Sequence, residues 1–261
     1  MRTPVDPNYV IGRGELHFNK FTTGTKTGTG EMYFGNTPEL SVASSIDTLD
    51  HYNSDHGLKE KDESVTLEDS QTLTFSTDHI APANLALWFG GDLSTLAITA
   101  ATAQTFSLGA VTLGRSYQIG SSATTPSGAR KVTNVMVKKA STTIVAEGNY
   151  EVDLELGRVY IESDAADILD GDILEVTYDQ EAYSRQVIIG KAQEIRGSLR
   201  FISDNPVGKQ KDMFWPYVKV TPNGDYALKG DEWQVMSFTV EVLKLNGTTE
   251  RVYIDMRDVT A

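Results

Sequence analysis

The stretch VTLEDSQTLTFST, residues 65–77, decides the fold because apolar and polar side chains alternate along it. The odd positions include Val65, Leu67, Leu73 and Phe75, and the even positions are Thr66, Glu68, Ser70, Thr72, Thr74 and Ser76. A period of two predicts a β-strand with one buried face and one face in solvent. The strand would be about twice as long as an average strand of roughly five or six residues. Its polar face carries hydroxyls and a carboxylate but no lysine.

Similar alternation predicts further long strands near both ends of the chain, in ELHFNKF (15–21), QEIRGSLRFIS (193–203), SFTVEV (237–242) and RVYIDMRD (251–258). The Asn-Gly pairs at 223–224 and 246–247 predict tight hairpin turns between strands. The long strands of the first and last thirds are therefore expected to share one antiparallel sheet system.

The segment APANLALWFGG, residues 81–91, is the best helix candidate. Pro82 suits the first helical position, and the glycines at 90 and 91 are expected to end the helix. Leu85, Trp88 and Phe89 lie at helical spacing and are predicted to cover the core.

Residues 47–64, DTLDHYNSDHGLKEKDES, are highly polar and show no sustained period. They predict a long loop between two strands, and a loop of this length in a compact domain is usually functional or disordered. Its candidate contact residues are Asp47, Asp50, His51, Tyr52, Asp55, His56, Lys59, Glu60, Lys61, Asp62 and Glu63.

Composition changes near residue 94, where charge falls and alanine and threonine become frequent. Several short strands separated by turn signals follow, which predicts a small β-rich insert over residues 100–182. Residues 1–99 and 183–261 would then form the two halves of a main antiparallel β-sandwich or half-barrel with one main helix.

The chain has 261 residues, a net charge of −13 and no cysteine. Without cysteine there are no disulfides, thiolate metal sites or cysteine nucleophiles. A protein that grips duplex DNA needs lysine and arginine to neutralise phosphates, so overall acidity disfavours that class. The start of the chain has no signal-like apolar run and no stretch reaches membrane-spanning length, so we expect assembly in a cytosol and no membrane partner.

Motifs for catalysis are not apparent in the sequence. His51 and His56 lie among aspartates, which permits a metal reading, but the spacing matches no zinc or calcium motif. The glycine-rich GTKTGTG, residues 24–30, lacks the phosphate-loop spacing and precedes no predicted helix. We therefore expect a protein that is not an enzyme and that carries no cofactor or metal.

The order of several segments in the first 92 residues resembles the major tail tube proteins of long-tailed (siphophage-type) bacteriophages. These segments are GRGELHFNKF, EMYFGNTPELSV, LDHY, KEKD, the long strand and NLALWF. The insert's EGNYEVDLELGRVYI and the closing strands are less specifically similar to the same group.

The resemblance implies a tail-tube-type fold whose copies form hexameric rings, stacked into a channel for genome ejection. It also implies the virion as location, assembly in the host bacterial cytoplasm, and the tape measure and tail terminator proteins as partners. Double-stranded DNA would pass without specific binding. Thr66, Glu68, Ser70, Thr72 and Thr74 would then face the channel lumen, and the 47–64 segment would reach the adjacent ring. The insert is expected on the outer surface.

Three other functions remain open on the sequence alone. The tube of a tailocin or a type VI secretion system would share the fold and the ring. A carbohydrate-binding β-sandwich would need an exposed aromatic platform. An enzyme that uses the histidine and aspartate segment would contain metal.

Overall fold

A computed structural model describes residues 9–55, 57–140 and 143–257. The chain divides into two compact units, of which unit 1 comprises Met1–Ser94 with Ile188–Ala261 and unit 2 comprises Thr95–Val187. Strands account for 57% of the structure and helix for 3%. The predicted mainly β, antiparallel fold with one short helix is confirmed. The second unit begins and ends five residues outside the predicted insert, 100–182.

The elements of the first part of the chain are β1 Gly14–Phe21, β2 Gly28–Tyr33, β3 Glu39–Asn53, β4 Glu60–Thr77, α1 Pro82–Trp88 and β5 Gly91–Ile98. Those that follow are β6 Ala101–Ala110, β7 Ser116–Gln118, β8 Val132–Lys139, β9 Thr143–Ile144, β10 Tyr150–Asp153, β11 Arg158–Ile161 and β12 Ile173–Gln180. The last are β13 Tyr183–Gly190, β14 Ile195–Ser203, β15 Gln210–Asn223, β16 Met236–Val242 and β17 Tyr253–Arg257. No helix within the described ranges is long and apolar enough to cross a membrane.

Unit 1 is organised around an eight-stranded sheet in the order β2-β1-β14-β15-β16-β4-β3, with β17 paired to β15. The sheet curls around Phe34, which lies in the loop after β2. The Phe34 ring centroid is 6.0 Å from that of Phe18 on β1 and 4.7 Å from that of Phe75 on β4. In a flat sheet β1 and β4 would lie about 19 Å apart, at roughly 4.8 Å per strand. The sheet is therefore strongly curved, as a half-barrel requires.

The core of unit 1 lies on the concave side of this curve and combines alternate residues of the long strands. Its fully buried members include Leu16, Phe18, Phe34, Leu73, Leu199, Trp215, Val218, Met236, Phe238 and Val240. The carbonyl oxygen of Phe34 accepts hydrogen bonds from the Thr77 hydroxyl (3.0 Å) and the Asn84 amide (2.8 Å). These buried bonds hold the loop that carries the Phe34 ring in the core.

Helix α1 confirms the predicted element but corrects its buried face. Leu87 is 3% exposed and is the deepest apolar side chain of the helix, whereas Leu85 and Trp88 are half-buried against the core. Phe89 lies after the last helical residue and is 48% exposed. The helix has only 7 residues and ends at Trp88, so Phe89 lies outside it, and Gly90 follows with a φ of +59°.

The tight turns predicted at the two Asn-Gly pairs are wrong, because longer connections replace them. Residues 224–235 separate β15 from β16, although Asn223 does pair with Ser237. Within the part of the chain that the structure describes, β16 and β17 both pair with β15 and not with each other. The Asn246 side chain instead accepts hydrogen bonds from the backbone N–H groups of Thr248 and Thr249, each at 2.9 Å, which stabilises a local turn.

Unit 2 has its own core between two small sheets, of order β10-β11-β7 and β6-β12-β8-β9. Both sheets contribute to one cluster of fully buried side chains, which includes Val137, Val159, Ile161, Leu174 and Val176. Strands β5 and β13 form a separate two-stranded sheet, and the boundaries between the units fall within these two strands.

Candidate functional site

Strand β4 begins five residues before the predicted strand. The predicted loop over residues 47–64 is wrong, because most of these residues belong to β3 and β4. Strand β3 runs to Asn53 and β4 starts at Glu60, so residues 47–53 and 60–64 pair as a hairpin. Among the described residues, 54, 55 and 57–59 form the connection. Polar residues with no clear period predict a loop. In a strand pair that is exposed to solvent on both faces, however, burial does not require apolar and polar residues to alternate.

The face of the sheet opposite the core is polar on β3, β4 and β16, and we call it the polar face. On β4 it carries Glu68, Ser70, Thr72, Thr74 and Ser76, because Leu73 and Phe75 point to the core. Their partners on β3 are Asp47, Ser45, Ala43, Ser41 and Glu39.

Thr66 does not share this face, which corrects the prediction that all five candidate lumen residues point the same way. Glu68 pairs with Asp47, and Thr66 pairs with Thr48, so Leu67 is an extra residue in β4. A bulge of this kind reverses the alternation on one strand. Thr66 is therefore on the core side of the strand pair, while Glu68, Ser70, Thr72 and Thr74 stay on the polar face.

A row of hydroxyl groups crosses the polar face at right angles to the strands. Thr221 pairs with Thr239, Thr239 with Thr74, and Thr74 with Ser41. The Ser41 and Thr74 hydroxyl oxygens lie 2.7 Å apart, and the Thr221 hydroxyl donates to the Thr239 carbonyl at 3.3 Å. The side chains thus bond to one another and to the backbone, which leaves a smooth, uncharged strip.

On β3, β4 and β16 the charged groups at the margins of this strip are acids, whereas on β15 Lys219 lies opposite Glu241 on the same face. The acids are Glu39 and Asp47 on β3, Glu68 on β4, and Glu241 on β16. No lysine or arginine lies on the polar face of β3, β4 or β16. A polyanion near this surface would meet hydroxyls and negative charge, which disfavour lasting contact.

The distal half of the β3–β4 hairpin, residues 47–69, is exposed on both faces, and we call it the arm. Leu49 and Val65 form a cross-strand pair, yet they are 62% and 54% exposed. Ile46, Tyr52, Leu58 and Leu67 are also exposed. The paired part of β3 from Asp47 to Asn53 spans about 20 Å at roughly 3.4 Å per residue. Exposed apolar groups on such a ribbon indicate an interface.

Ionic contacts across the arm hold its two strands together. Lys61 Nζ lies 2.7 Å from an Asp50 carboxylate oxygen, and the Ser64 hydroxyl donates to the same oxygen at 2.8 Å. The Lys61 hydrogen bond and then that of Ser64 lower the pKa of Asp50. His51 and Asp62 form a second cross-strand contact at 2.6 Å.

The base of the arm is tied to the body of unit 1. The Arg251 guanidinium donates to the Asp69 carbonyl and lies 3.4 Å from its carboxylate. Asp69 is on the core side of β4, one residue after Glu68, and pairs with Ile46. The Trp215 indole N–H donates to Gln71 at 3.1 Å and marks the end of the core.

The candidate loop residues therefore lie on the arm or its turn, except His56, which is outside the described residues. Asp47, Asp50, His51 and Tyr52 are on β3, whereas Glu60, Lys61, Asp62 and Glu63 are on β4. Asp55 and Lys59 lie in the turn. Within the described ranges, no three histidine, aspartate or glutamate side chains converge in a group that could hold a metal ion.

A family model matches residues 9–250, which include the polar face and the arm. The chain belongs to the family described as Protein of unknown function UCP028589. No curated protein matches the chain. The family's description names no activity, so the function of this family member is argued from its surfaces.

Sequence reasoning missed one surface of this family member, an aromatic and basic area on β14 and β15. Phe21, Phe214 and Tyr217 lie there with Arg196 and Arg200. Gly197 pairs with Val218 and Leu199 pairs with Trp215, so one residue of β14 lies opposite both residues 216 and 217 of β15. This bulge places Tyr217 on this side of the sheet. A bulge leaves no signal in a two-residue period, so the sequence alone did not identify it.

Proposed function

We propose that the chain is a structural subunit of a phage tail tube, which forms stacked hexameric rings around a channel for genome ejection. The observation that carries the proposal is the polar face, a hydroxyl-rich and acid-rimmed sheet surface without basic groups on β3, β4 and β16. The resemblance of the first 92 residues to tail tube proteins supports it. The proposal assigns no reaction, cofactor or metal to the chain.

The edges of the eight-stranded sheet support ring formation. Strand β3 has 15 residues, and among the described residues it pairs only with β4. Strand β2 is the other terminal strand and pairs only with β1 within the same residues. An exposed strand this long favours pairing with another chain. Copies joined edge to edge would align their polar faces into one wall.

The composition of the polar face suits a channel for duplex DNA. Tight binding would need cations opposite the phosphates, and each such contact would slow passage. Glu68, Ser70, Thr72 and Thr74 are the residues that we place on the lumen. Thr66 is no longer among them, because the bulge puts it on the other side of β4.

The arm is the proposed contact between successive rings. It has exposed apolar side chains and few interactions with the rest of unit 1 beyond Asp69. A two-stranded ribbon of this kind is marginally stable by itself, so a partner surface would order it. The tape measure and tail terminator proteins are the further partners that this role implies. The location of unit 2 on the outside of the tube stays a prediction.

One observation favours a second function, that of a carbohydrate-binding module. Trp233 is 93% exposed in the loop between β15 and β16. Sugar recognition usually uses an exposed aromatic ring together with converging polar groups. Trp233 shares a shallow cleft with Asp78, Ile80 and Gln234, so glycan-array binding that is lost in Trp233→Ala would support this alternative.

Immunogold labelling of particles released from cells that encode the chain tests the proposal. We expect label along the tails of particles with DNA-filled heads. Label along headless tubes would assign the chain to a tailocin, and label on tubes that stay within cells would assign it to a type VI secretion system. Label on no tubular particle would contradict the proposal.

A further inference from the structure

The polar face continues from β16 across β15 and β14, and there it carries cations. Glu241 on β16 pairs with Lys219 on β15, and Lys219 pairs with Arg196 on β14. Directly opposed residues of neighbouring strands point to the same face of a sheet. Arg200 follows Arg196 by an even number of residues on β14 and therefore shares that face. The proposed lumen wall thus contains the basic side chains Arg196, Arg200 and Lys219 besides its acids.

Arg200 has a carboxylate partner on β2. Its Nε lies 2.8 Å from a carboxylate oxygen of Glu31. Glu31 pairs with Asn19 on β1, and Asn19 pairs with Ser198 on β14, so Glu31 lies on the polar face as well. The Arg200 guanidinium also lies 4.5 Å from the centroid of the Phe214 ring. The carboxylate and the ring together hold this cation against the sheet.

Glu194, just before β14, binds the other two cations. One of its carboxylate oxygens lies 2.7 Å from Arg196, and the other lies 3.2 Å from Lys219 Nζ. The hydrogen bonds from Arg196 and then from Lys219 lower the pKa of Glu194, which keeps it ionised at neutral pH. Because Lys219 also lies opposite Glu241, the two cations are matched by two acids.

Stability alone gives little reason for this complete pairing. The side chains of these ion pairs are 30–57% exposed, and exposed ion pairs contribute little to folding because water and salt screen them. Glu39 and Glu68 lie on the same face and have no cationic partner among the described residues. Each cation of β14 and β15 on this face therefore has an acid beside it, whereas acids are in excess. Pairing that is complete for the positive sign points to a role in covering the cations.

Lys26, in the turn between β1 and β2, is bound in a different way. Its Nζ lies 4.9 Å from the centroid of the Tyr217 ring and donates to the Leu245 carbonyl. It has no carboxylate partner among the described residues, but a single cation beside an excess of acids leaves the surface negative.

A cation with a carboxylate beside it attracts a phosphate only weakly, because the carboxylate already neutralises it and repels the phosphate. An unpaired cation releases counterions from DNA when it meets a phosphate, and this release supplies much of the affinity for a duplex. We propose that Glu31 and Glu194 mask the three cations of the lumen wall from the phosphates of the passing DNA. This inference rests on the proposed function and identifies residues that keep the channel from retaining the genome.

Binding of a short DNA duplex to the full chain, at concentrations below those of assembly, tests the masking. We expect Glu31→Gln with Glu194→Gln to bind the duplex at least about tenfold more tightly than the natural chain in about 50 mM salt, as measured by fluorescence anisotropy. The slope of log K against log salt concentration should steepen by roughly 0.9 for each cation that meets a phosphate. The matched control, Glu39→Gln with Glu68→Gln, removes the same charge from the same face but frees no cation. It should bind as weakly as the natural chain.

A second variant separates the freed cation from the lost acid. Adding Arg200→Gln to Glu31→Gln removes both members of the ion pair, so the duplex affinity should return to that of the natural chain. Equal affinities for the Glu31 and Glu194 variant and its control, or a gain that survives Arg200→Gln, would overturn the masking and leave the tube function standing. Natural protein that forms no rings or tubes would instead contradict the proposed function, whatever the duplex affinities are.

Discussion

The unpaired residue Leu67 determines which side chains of β4 can act together. It shifts the alternation by one position, so Thr66 leaves the polar face and the Leu49–Val65 pair joins the side that carries Glu68. The even positions in the sequence predict a single face from 66 to 76, which is correct only from Glu68 onward. Bulges depend on pairing with a neighbouring strand, and a single strand's sequence does not contain that information.

Introducing lysines on the polar face tests its assignment to the lumen. We expect Glu68→Lys with Thr72→Lys to assemble normally, because both side chains point away from the core, but to reduce infectivity by retaining DNA. Plaque titre and DNA ejection of virions that carry the variant measure the effect. Thr66→Lys is the matched control, since the bulge places it on the other side of β4. Equal infectivity of all three proteins would reject the lumen assignment.

Phe34 is the residue on which the curvature of the sheet depends. We expect Phe34→Ala to reduce the free energy of unfolding by about 3–5 kcal/mol, as is typical when a buried phenylalanine is removed. Its ring contacts Phe18, Phe75 and Phe238, so the cavity would lie between β1 and the neighbouring strands β4 and β16. Denaturant unfolding measures the change. Phe89→Ala, which truncates a half-exposed ring, should cost far less, and equal losses would contradict this role.

At the scale of elements, the sequence predicts the long strands and the helix well, but not the arm. The core halves of β4 and β16 alternate because one face is buried, and Leu73, Phe75, Phe238 and Val240 confirm that pattern. In the arm both faces are exposed, so burial imposes no period and the segment resembles a loop. Connections between strands are also hard to predict, because the N-G pairs at 223 and 246 fit several turn lengths.

Replacing residues 48–67 by Asn-Gly separates folding from stacking. Asp47 and Glu68 are directly paired, so a two-residue turn can join them. None of the described residues removed is buried, and we therefore expect the thermal unfolding midpoint to remain within a few degrees. Sedimentation should show rings that no longer stack. Normal tubes from this variant would contradict the role of the arm.

Acidification should loosen the arm through Asp50. Its pKa is lowered by the Lys61 and Ser64 hydrogen bonds, so the contact is fully present above the ordinary aspartate pKa of about 3.9 and is lost as pH falls through the lower folded value. Lys61→Met should therefore speed amide exchange of the arm at pH 6, with intrinsic rates taken into account. At pH values below the folded pKa of Asp50 the variant and natural protein should converge. A difference that persists there would show that the ion pair is not its cause.

At the scale of the whole molecule, two units have separate cores, and the boundaries fall within β5 and β13. The shift in composition near residue 94 indicates the inserted unit, because low charge and frequent turn signals are typical of several short strands separated by turns. The exposed surfaces of unit 1 were only partly predictable. The polar face follows from alternation, whereas the aromatic and basic area beside Tyr217 depends on a bulge and on residues far apart in sequence, from Phe21 to Tyr217.

Negative-stain electron microscopy of the purified protein over a concentration series tests the central claim most directly. The free strand edges and the polar face predict rings with a central hole at low concentration and hollow tubes of stacked rings as the concentration rises. Single particles of monomer mass at every concentration, with no ring or tube, would contradict the assignment of this chain as a tube subunit.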